Sequence, residues 1–399
     1  MDELQLKRPG RAAAQPAVPA FALWQLGFRP FYLLASVFAV LSVGLWTLQY
    51  SGWLGGAYLK GPLWHGHEML FGYTVAVIAG FLLTAVRNWT GLPTPAGAPL
   101  AALAMLWVAG RILVLTPWSL VAALVNAAFP LAVAVAIARP IVRSRNQRNY
   151  FFIVLLALLG VITLATHAAL NGVIDLQPRF ALQLAIDVIL FVMAVMAGRV
   201  VPMFTNNGVP GTHATRRPWV ERLALGSIIA LFLADHVQSM PWIAAAVALV
   251  AAIVHAVRLA LWQGWRTLGT PLVWVLHLAY AWIVVHLLLR AMAAAGWVAE
   301  PLALHALTVG AIGGLTIGMI TRTARGHTAR PLKADGYETT AYLLVFAAAL
   351  VRVFGPMLLP SQYLACVQVS GLLWVAGFGL YAVRYWPVLT RPRLDGKPG

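Results

Sequence analysis

Apolar residues fall in long runs that are separated by short polar segments. A transmembrane helix needs about 20 predominantly apolar residues to cross a hydrocarbon layer of about 30 Å. Runs of this kind predict twelve helices, at 29–49, 66–86, 98–115, 119–138, 150–171, 180–202, 222–238, 241–262, 270–295, 302–321, 338–357 and 362–386. The pattern therefore predicts an all-α polytopic membrane helix bundle in one domain.

Two pairs of runs are separated only weakly, and the helix count depends on them. The third and fourth runs are short, are split by Thr116–Pro117, and are also consistent with one re-entrant hairpin. The seventh and eighth runs are split near Met240–Pro241. The distribution of charge provides an independent check on this topology.

Composition supports a membrane protein, since 61% of the 399 residues are hydrophobic and only 10% are charged. Soluble domains have about 25% charged residues. The net charge of +17 is attributed to loops that face anionic lipid, because no nucleic-acid-binding module is recognisable. The single cysteine, Cys366, excludes an intramolecular disulfide and a CxxCH motif for covalent haem attachment.

Basic residues alternate between the two sides of the predicted topology. With the N-terminus inside, 23 of the 28 Lys and Arg residues lie on the cytoplasmic side, as the positive-inside rule requires. We therefore expect both termini in the cytoplasm, with an uncleaved tail at 1–28, a membrane domain at 29–386 and a second tail at 387–399. The five exceptions are Lys60, Arg111, Arg179, Arg290 and Arg352.

The ten histidines can be sorted by depth in this topology. Neutral imidazole is the commonest side-chain metal ligand. An ionisable residue within a membrane is energetically costly unless it binds a ligand or pairs with another group. The predicted extracytoplasmic side holds His65, His67, His167, His236, His305 and, somewhat deeper, His286. The predicted cytoplasmic side holds His213, His255, His277 and His327. Helices two, five and ten thus present histidines at one depth.

The segment Trp64–Glu68 carries two histidines at the start of the second helix. If the helix begins at Trp64, His65 shares one face with Glu68 and Met69, whereas His67 leads a different face. This geometry favours His65 as the inward-facing ligand. The alternative is that both are interfacial histidines that form hydrogen bonds with water or lipid.

The second and tenth helices share an H-x4-G-x7-G pattern, and this repeat favours His67 instead. His67 is followed by Gly72 and Gly80, and His305 is followed by Gly310 and Gly318. In the tenth helix Gly314 completes a small-residue stripe, which we expect to seat a neighbouring helix and not a ring bound by His305. The repeat indicates that the two helices are equivalent parts of an internal symmetry.

Three further polar features carry alternative interpretations. Asp187, in the middle of the sixth helix, is either protonated, part of a proton path, or paired with Arg or His. Arg199 lies at a predicted helix end. It binds backbone groups, it binds a propionate-like anion, or it is only a positive-inside residue at the membrane boundary. The segment Thr321–Thr328, with Arg322 and His327, is predicted as a basic polar loop that either binds a ligand or faces lipid.

Four segments resemble the NnrS family of bacterial inner-membrane proteins. They are GFRPFYLLAS (27–36), WHGHEMLFGYTVAVIAGFLLTAVRNWTG (64–91), GRVVPMFTNNG (198–208) and HALTVGAIGGLTIGMITRTARGHTAR (305–330). The resemblance implies a twelve-helix protein that contains haem and copper and is associated with denitrification and nitric oxide resistance. It implies no particular turnover reaction. The matching motifs contain His65, His67, Glu68, His305, Arg322 and His327, and His277 also matches.

A fainter similarity is to the catalytic subunit of haem-copper oxidases, in which histidines on helices two and ten hold a low-spin haem. His65, followed by Met69 and Phe71, is similar to the second of those helices. The seventh helix lacks the adjacent histidine pair of the oxidases, and position 303 is Ala303 where they have a second histidine. The oxygen-reducing centre is therefore not expected here.

Together these features predict a membrane protein that binds haem b and copper and handles nitric oxide. We expect the haem iron between the outer ends of helices two and ten, held by His305 and by His65 or His67, near Glu68 and Met69. The other histidine of the pair then serves copper or a propionate, and His167 joins this outer site. His277 and His327 form a separate second site or none. The alternatives are a secondary transporter and an assembly factor without redox chemistry.

The topology can be tested with reporter fusions. Fusions after Arg148 and Lys333 should report a cytoplasmic location, and a fusion after Gly56 should report the exterior, because 23 of 28 basic residues partition in this way. The measurement is paired alkaline phosphatase and fluorescent protein activity. A cytoplasmic signal at Gly56 would contradict the assignment of depth to every histidine.

Overall fold

The computed structural model describes residues 21–53, 59, 61–235 and 240–397. Within these ranges the secondary structure is helical and contains no strand. Twelve main helices follow one another: α1 Phe28–Tyr50, α2 Gly61–Thr90, α3 Ala98–Leu113, α4 Ser119–Arg143, α5 Tyr150–Leu170, α6 Pro178–Gly208, α7 Pro218–Ala234, α8 Pro241–Leu261, α9 Pro271–Ala294, α10 Glu300–His327, α11 Gly336–Leu358 and α12 Tyr363–Thr390. Most of the predicted tail at 1–28, together with Gly56, Lys60 and His236, lies outside the described residues.

Ten of these helices are long and apolar enough to cross a membrane. The prediction of an all-α polytopic membrane bundle is therefore confirmed. The helices α3 and α7 are shorter, with 16 and 17 residues. Each is separate from its successor, because α4 begins only at Ser119 and α8 only at Pro241.

Three helices extend beyond their apolar runs, and the extensions carry the polar residues of interest. Helix α2 begins at Gly61 and not at residue 66, and α6 continues to Gly208. Helix α10 continues to His327, so the prediction of a loop at Thr321–Thr328 is wrong for most of that segment. The reason is that hydropathy locates the hydrocarbon boundary, whereas backbone hydrogen bonding continues past it where other helices pack against the polar turns.

Helices α2 and α10 each contain a π-helical segment directly after the histidine of the shared sequence pattern. The segment is Glu68–Thr74 after His67 and Ala306–Ile312 after His305. Such segments are rare and occur frequently at functional sites. The sequence repeat is thus accompanied by a repeat in backbone geometry.

The glycine stripe of α10 packs against α9 and α11. A Cβ atom on Gly310 would lie 2.3 Å from the Trp282 ring, and one on Gly314 would lie 2.6 Å from Phe346. A Cβ atom on Gly318 would lie 2.8 Å from Leu276. The prediction that these glycines seat a neighbouring helix is confirmed.

Two charged residues inside the bundle, Arg258 and Asp187, are paired with residues of opposite charge. Arg258, which is 1% exposed, donates to the Ala194 carbonyl at 2.9 Å and to Glu221 Oε2 at 2.5 Å. Asp187 accepts a hydrogen bond from Gln183 at 2.9 Å and lies 3.9 Å from Arg290. Of the interpretations of Asp187, this geometry favours pairing.

The bundle contains two separate cavities at opposite ends, and helices α2, α6 and α10 each line both of them. The first halves of all three line one cavity, and their second halves line the other. Because α2 and α10 present equivalent ends to each cavity, they run in the same direction. The repeat that they share is therefore parallel.

The close packing of α10 predicts an asymmetry between two helical glycines. Gly310→Ala should reduce stability by about 1–3 kcal/mol, because the rigid Trp282 ring leaves no room for the methyl group. Gly226→Ala in α7 is the control, since its Cβ would meet nothing within 4 Å. The measurement is thermal unfolding of the purified protein in detergent. Equal stability of the two variants would contradict the packing.

Candidate functional site

The first cavity has a volume of about 440 Å³ and lies between the starts of α2, α6, α10 and α12 and the ends of α1 and α11. We call it the His65–His305 cavity, because both imidazoles line it. Its volume lies within the range of about 300–1,000 Å³ that is usual for ligand pockets. The other lining residues used below are Trp46, Met69, Arg179, Arg352 and Tyr363.

His305 is oriented by its own helix. Its Nδ1–H donates to the Pro301 carbonyl at 2.6 Å, one turn earlier. This hydrogen bond selects the tautomer whose Nε2 carries a lone pair. Metal-binding histidines show the same arrangement, in which the second ring nitrogen is held by a carbonyl or carboxylate.

His65 is held by stacking. Its ring lies on the Trp46 ring with a centroid separation of 4.8 Å and an interplanar angle of 17°. Its Nδ1 is buried and has no hydrogen-bond partner in the described part of the chain. The imidazole is therefore fixed in orientation without its nitrogens being engaged.

Two arginines bring positive charge to the same cavity. Arg352 donates to the Tyr363 hydroxyl at 3.2 Å, while its Nη1 is buried without a partner. Arg179 is exposed at the start of α6. Neither guanidinium forms an ion pair within the described ranges. The cavity thus offers two imidazoles together with donors for an anion.

His67 does not line this cavity but forms a second, fully buried cluster. Its Nε2 lies 3.0 Å from His167 Nε2, and both rings are 0% exposed. Its Nδ1–H donates to Glu68 Oε1 at 2.7 Å. We refer to these two histidines as the His67–His167 pair.

Glu68 is the polar centre of the second cluster. It is 1% exposed and also accepts a hydrogen bond from Arg111 Nη1 at 2.6 Å. Arg111 in turn donates to Asn126 Oδ1. Gly72 leaves room for this guanidinium, because a Cβ there would lie 2.6 Å from Arg111 Nη1.

The faces of α2 therefore differ from the sequence prediction. His65 and Met69 share the face that lines the cavity, but Glu68 lies with His67 on the side of Arg111. The π-helical segment begins at Glu68 and changes the angular spacing of the residues that follow, so an ideal helical wheel misplaces them. The sulfur of Met69 accepts a hydrogen bond from Ser42 Oγ at 3.5 Å.

The two histidines predicted for a second site lie apart. His277 Nε2–H donates to Thr205 Oγ1 at 2.8 Å, and its ring packs against Trp262. His327 packs against Phe28, 5.5 Å between ring centroids, and lines the second cavity. His277 is not among the described residues that line that cavity. The structure does not bring them into one site.

Three residues at the candidate sites could not be assigned to them from the sequence. In the sequence Arg111 and Arg352 stand out only as basic residues on the sparsely charged side of the predicted topology, and nothing there singles out Trp46. The available signal was the violation of the positive-inside rule, since a basic residue on the sparsely charged side needs a specific partner.

Comparison with known proteins agrees with this architecture. The sequence matches the family model described as NnrS protein over residues 22–393. No curated protein matches the chain. Because the family match covers all twelve main helices, the chain belongs to the NnrS protein family.

Proposed function

We propose that this chain is a haem- and copper-binding protein of the bacterial inner membrane that handles nitric oxide. The observation that carries the proposal is the presence of His65 and His305 on one cavity, from two parallel helices. Imidazole is a common protein ligand of haem iron, so two imidazoles that face a common space would suit a haem. Membership in the NnrS family, which is generally associated with haem and copper, supports the same conclusion.

The residues of the His65–His305 cavity fit a b-type haem. The hydrogen bond from His305 to Pro301 leaves Nε2 for iron, and the stacking on Trp46 holds His65. The unpartnered Nη1 of Arg352 fits a propionate, because a buried donor without an acceptor costs about 1–3 kcal/mol. With no CxxCH motif, the group would be held without covalent bonds.

The His67–His167 pair fits copper. Its two Nε2 atoms lie 3.0 Å apart, and no group of three or more His, Cys, Asp or Glu residues suited to a metal is found in the described residues. Imidazole is a suitable ligand for copper, so these two side chains are its candidate protein ligands. Glu68 would orient His67 through Nδ1, as a carboxylate does behind many metal-bound histidines.

The lining of the His65–His305 cavity is suited to nitric oxide. His65 and His305 would hold a haem, which would supply an iron able to bind nitric oxide. The apolar walls of the cavity favour a small uncharged gas, while Arg352 and Arg179 lie where they favour anions. The role of the protein residues is thus to hold the ligands and to separate the haem cavity from the buried His67–His167 pair.

The parallel relation of α2 and α10 bears on the alternative of a secondary transporter. Inverted repeats and helices broken near the membrane centre are typical of many transporters. Here the π-helical segments follow His67 and His305, near the cavity end of each helix, and both helices remain continuous. This arrangement favours a cofactor site.

The haem assignment predicts a specific loss of the visible spectrum. The purified protein should contain about one haem b, extractable with acid acetone, with a bis-imidazole spectrum. His305→Ala and His65→Ala should each abolish that spectrum, because each removes one axial ligand. His327→Ala, at the opposite cavity, should leave it intact.

Two outcomes would overturn this assignment. An unchanged spectrum in His305→Ala at normal expression would exclude His305 as a ligand. A colourless, metal-free wild-type protein from haem-replete cells would exclude the cofactor and favour a transporter. If His327→Ala also loses haem, its level in the membrane distinguishes misfolding from a shared site.

The copper assignment predicts the opposite pattern for His167. His167→Ala should lose copper, measured by metal analysis of the purified protein, and should keep the haem spectrum. The reason is that His167 contacts His67 and does not line the haem cavity. Copper content equal to wild type, or joint loss of haem and copper at normal expression, would contradict two separate sites.

A further inference from the structure

The second cavity has a volume of about 640 Å³ and lies at the ends of α2, α6 and α10, next to the start of α5. We call it the Arg322 cavity. Three sequence motifs that the proposed function leaves unused meet here: 87–91, 198–208 and 321–328. The predicted topology places this end of the bundle on the cytoplasmic side.

The lining of the Arg322 cavity is strongly positive. Arg148, Arg199 and Arg322 line it together with His327, and none of the described lining residues is Asp or Glu. Asn88, Asn146 and Asn149 add side-chain amide groups. Guanidinium groups bind carboxylate and phosphate through paired hydrogen bonds. The cavity is therefore complementary to an oxyanion.

Arg322 is the most deeply buried of the three arginines that line the cavity. It is 8% exposed, and its contact is with the Phe204 ring, 3.9 Å from the guanidinium carbon. Within the described part of the chain no hydrogen bond or ion pair engages it. A buried charge in a membrane protein is normally paired. Arg258 and Arg111, which are similarly buried, are each paired with a glutamate.

Arg199 lines the same cavity as Arg322, and its side chain is fixed by contacts with its neighbours. Its Nη1 donates to Asn149 Oδ1 at 2.8 Å, and its guanidinium carbon lies 5.2 Å and 5.6 Å from the centroids of Phe151 and Phe152. Its Nη2 also donates to the Arg148 carbonyl at 3.4 Å. These two hydrogen bonds and the cation–π contacts fix the fork of this side chain but leave donors for a further partner.

Most of the remaining lining is apolar, although Thr84 and Thr323 also contribute. Phe81, Trp89, Met196, Met203, Phe204 and Met319 line the cavity. Its volume corresponds to roughly twenty water molecules, which is far more than a phosphate ion alone would fill. The ligand therefore combines an oxyanion with an apolar body.

We infer that the Arg322 cavity binds a phosphate-bearing amphiphile, with Arg322 and Arg199 on the phosphate and the aromatic and methionine side chains on the apolar part. Two sources share this chemistry. One is an anionic phospholipid of the adjoining leaflet, and the other is a soluble organic phosphate. The site is separate from the proposed haem and copper sites, because it lies at the other end of α2 and α10.

The test compares four forms of the full-length protein in phosphatidylcholine nanodiscs: wild type, Arg322→Gln, Arg322→Lys and Arg143→Gln. Arg143 is the matched control, since it is exposed at the end of α4 on the same predicted side and does not line the cavity. Phosphatidylglycerol is added in the lipid arm, and phenyl phosphate, which joins a phosphate to an apolar ring, is added in the soluble arm. The readouts are the thermal midpoint, retained lipid by native mass spectrometry, and the visible spectrum.

We expect one arm to raise the thermal midpoint of the wild type and of Arg143→Gln. Arg322→Gln should bind the same probe about tenfold to a hundredfold more weakly, because a charge-assisted hydrogen bond is lost. Arg322→Lys should fall between them, since a lysine keeps the charge but not the planar fork. All variants should keep the spectrum of the wild type. The arm that responds identifies the source.

Three results would overturn the inference. The first is that neither probe stabilises the wild type. The second is that Arg143→Gln loses as much binding as Arg322→Gln, which would show only a general attraction of basic loops for anionic lipid. The third is loss of haem from Arg322→Gln at normal expression, which would assign this cavity to the haem instead.

Discussion

The ion pair between Glu68 and Arg111, with an N–O distance of 2.6 Å, determines the arrangement of the candidate site. A carboxylate that is 1% exposed within an apolar bundle has to be paired, since an uncompensated buried charge costs several kcal/mol. Pairing turns Glu68 towards α3 and takes the neighbouring His67 with it. The π-helical segment that begins at Glu68 accommodates this turn. His65 is thereby left to face the cavity that His305 also lines.

Four of the five exceptions to the predicted positive-inside distribution lie at a partner or at a cavity, and the fifth, Lys60, is outside the described residues. Arg111 pairs with Glu68, Arg290 pairs with Asp235 near Asp187, and Arg179 and Arg352 line the His65–His305 cavity. Each of these four arginines therefore has a partner or a cavity on the sparsely charged side of the bundle. A basic residue that opposes the topology signal is held there by a local interaction, and in this chain most such interactions surround the histidines.

Helices α2, α6 and α10 each contribute to two separate cavities whose linings differ chemically. At one end the walls present two imidazoles and apolar side chains, which suit a haem and a small gas. At the other end they present three guanidinium groups, with no carboxylate among the described lining residues, and this suits an oxyanion. The close packing of Gly310, Gly314 and Gly318 holds α10 against its neighbours between these ends. Both sites thus depend on the same rigid elements, and each can be altered without removing residues of the other.

The sequence by itself determined the class of the protein, because 61% hydrophobic residues in long runs can form only a membrane helix bundle. It also indicated the repeat of α2 and α10 and the packing role of the α10 glycines, since these depend on spacing along one helix. The tertiary structure decided which histidines share a space. His67 and His167 are 100 residues apart, and an ideal helical wheel could not show that a π-helical segment turns Glu68 away from His65. Contacts between helices are set by packing and by the pairing of buried charges, and neither is encoded in local periodicity.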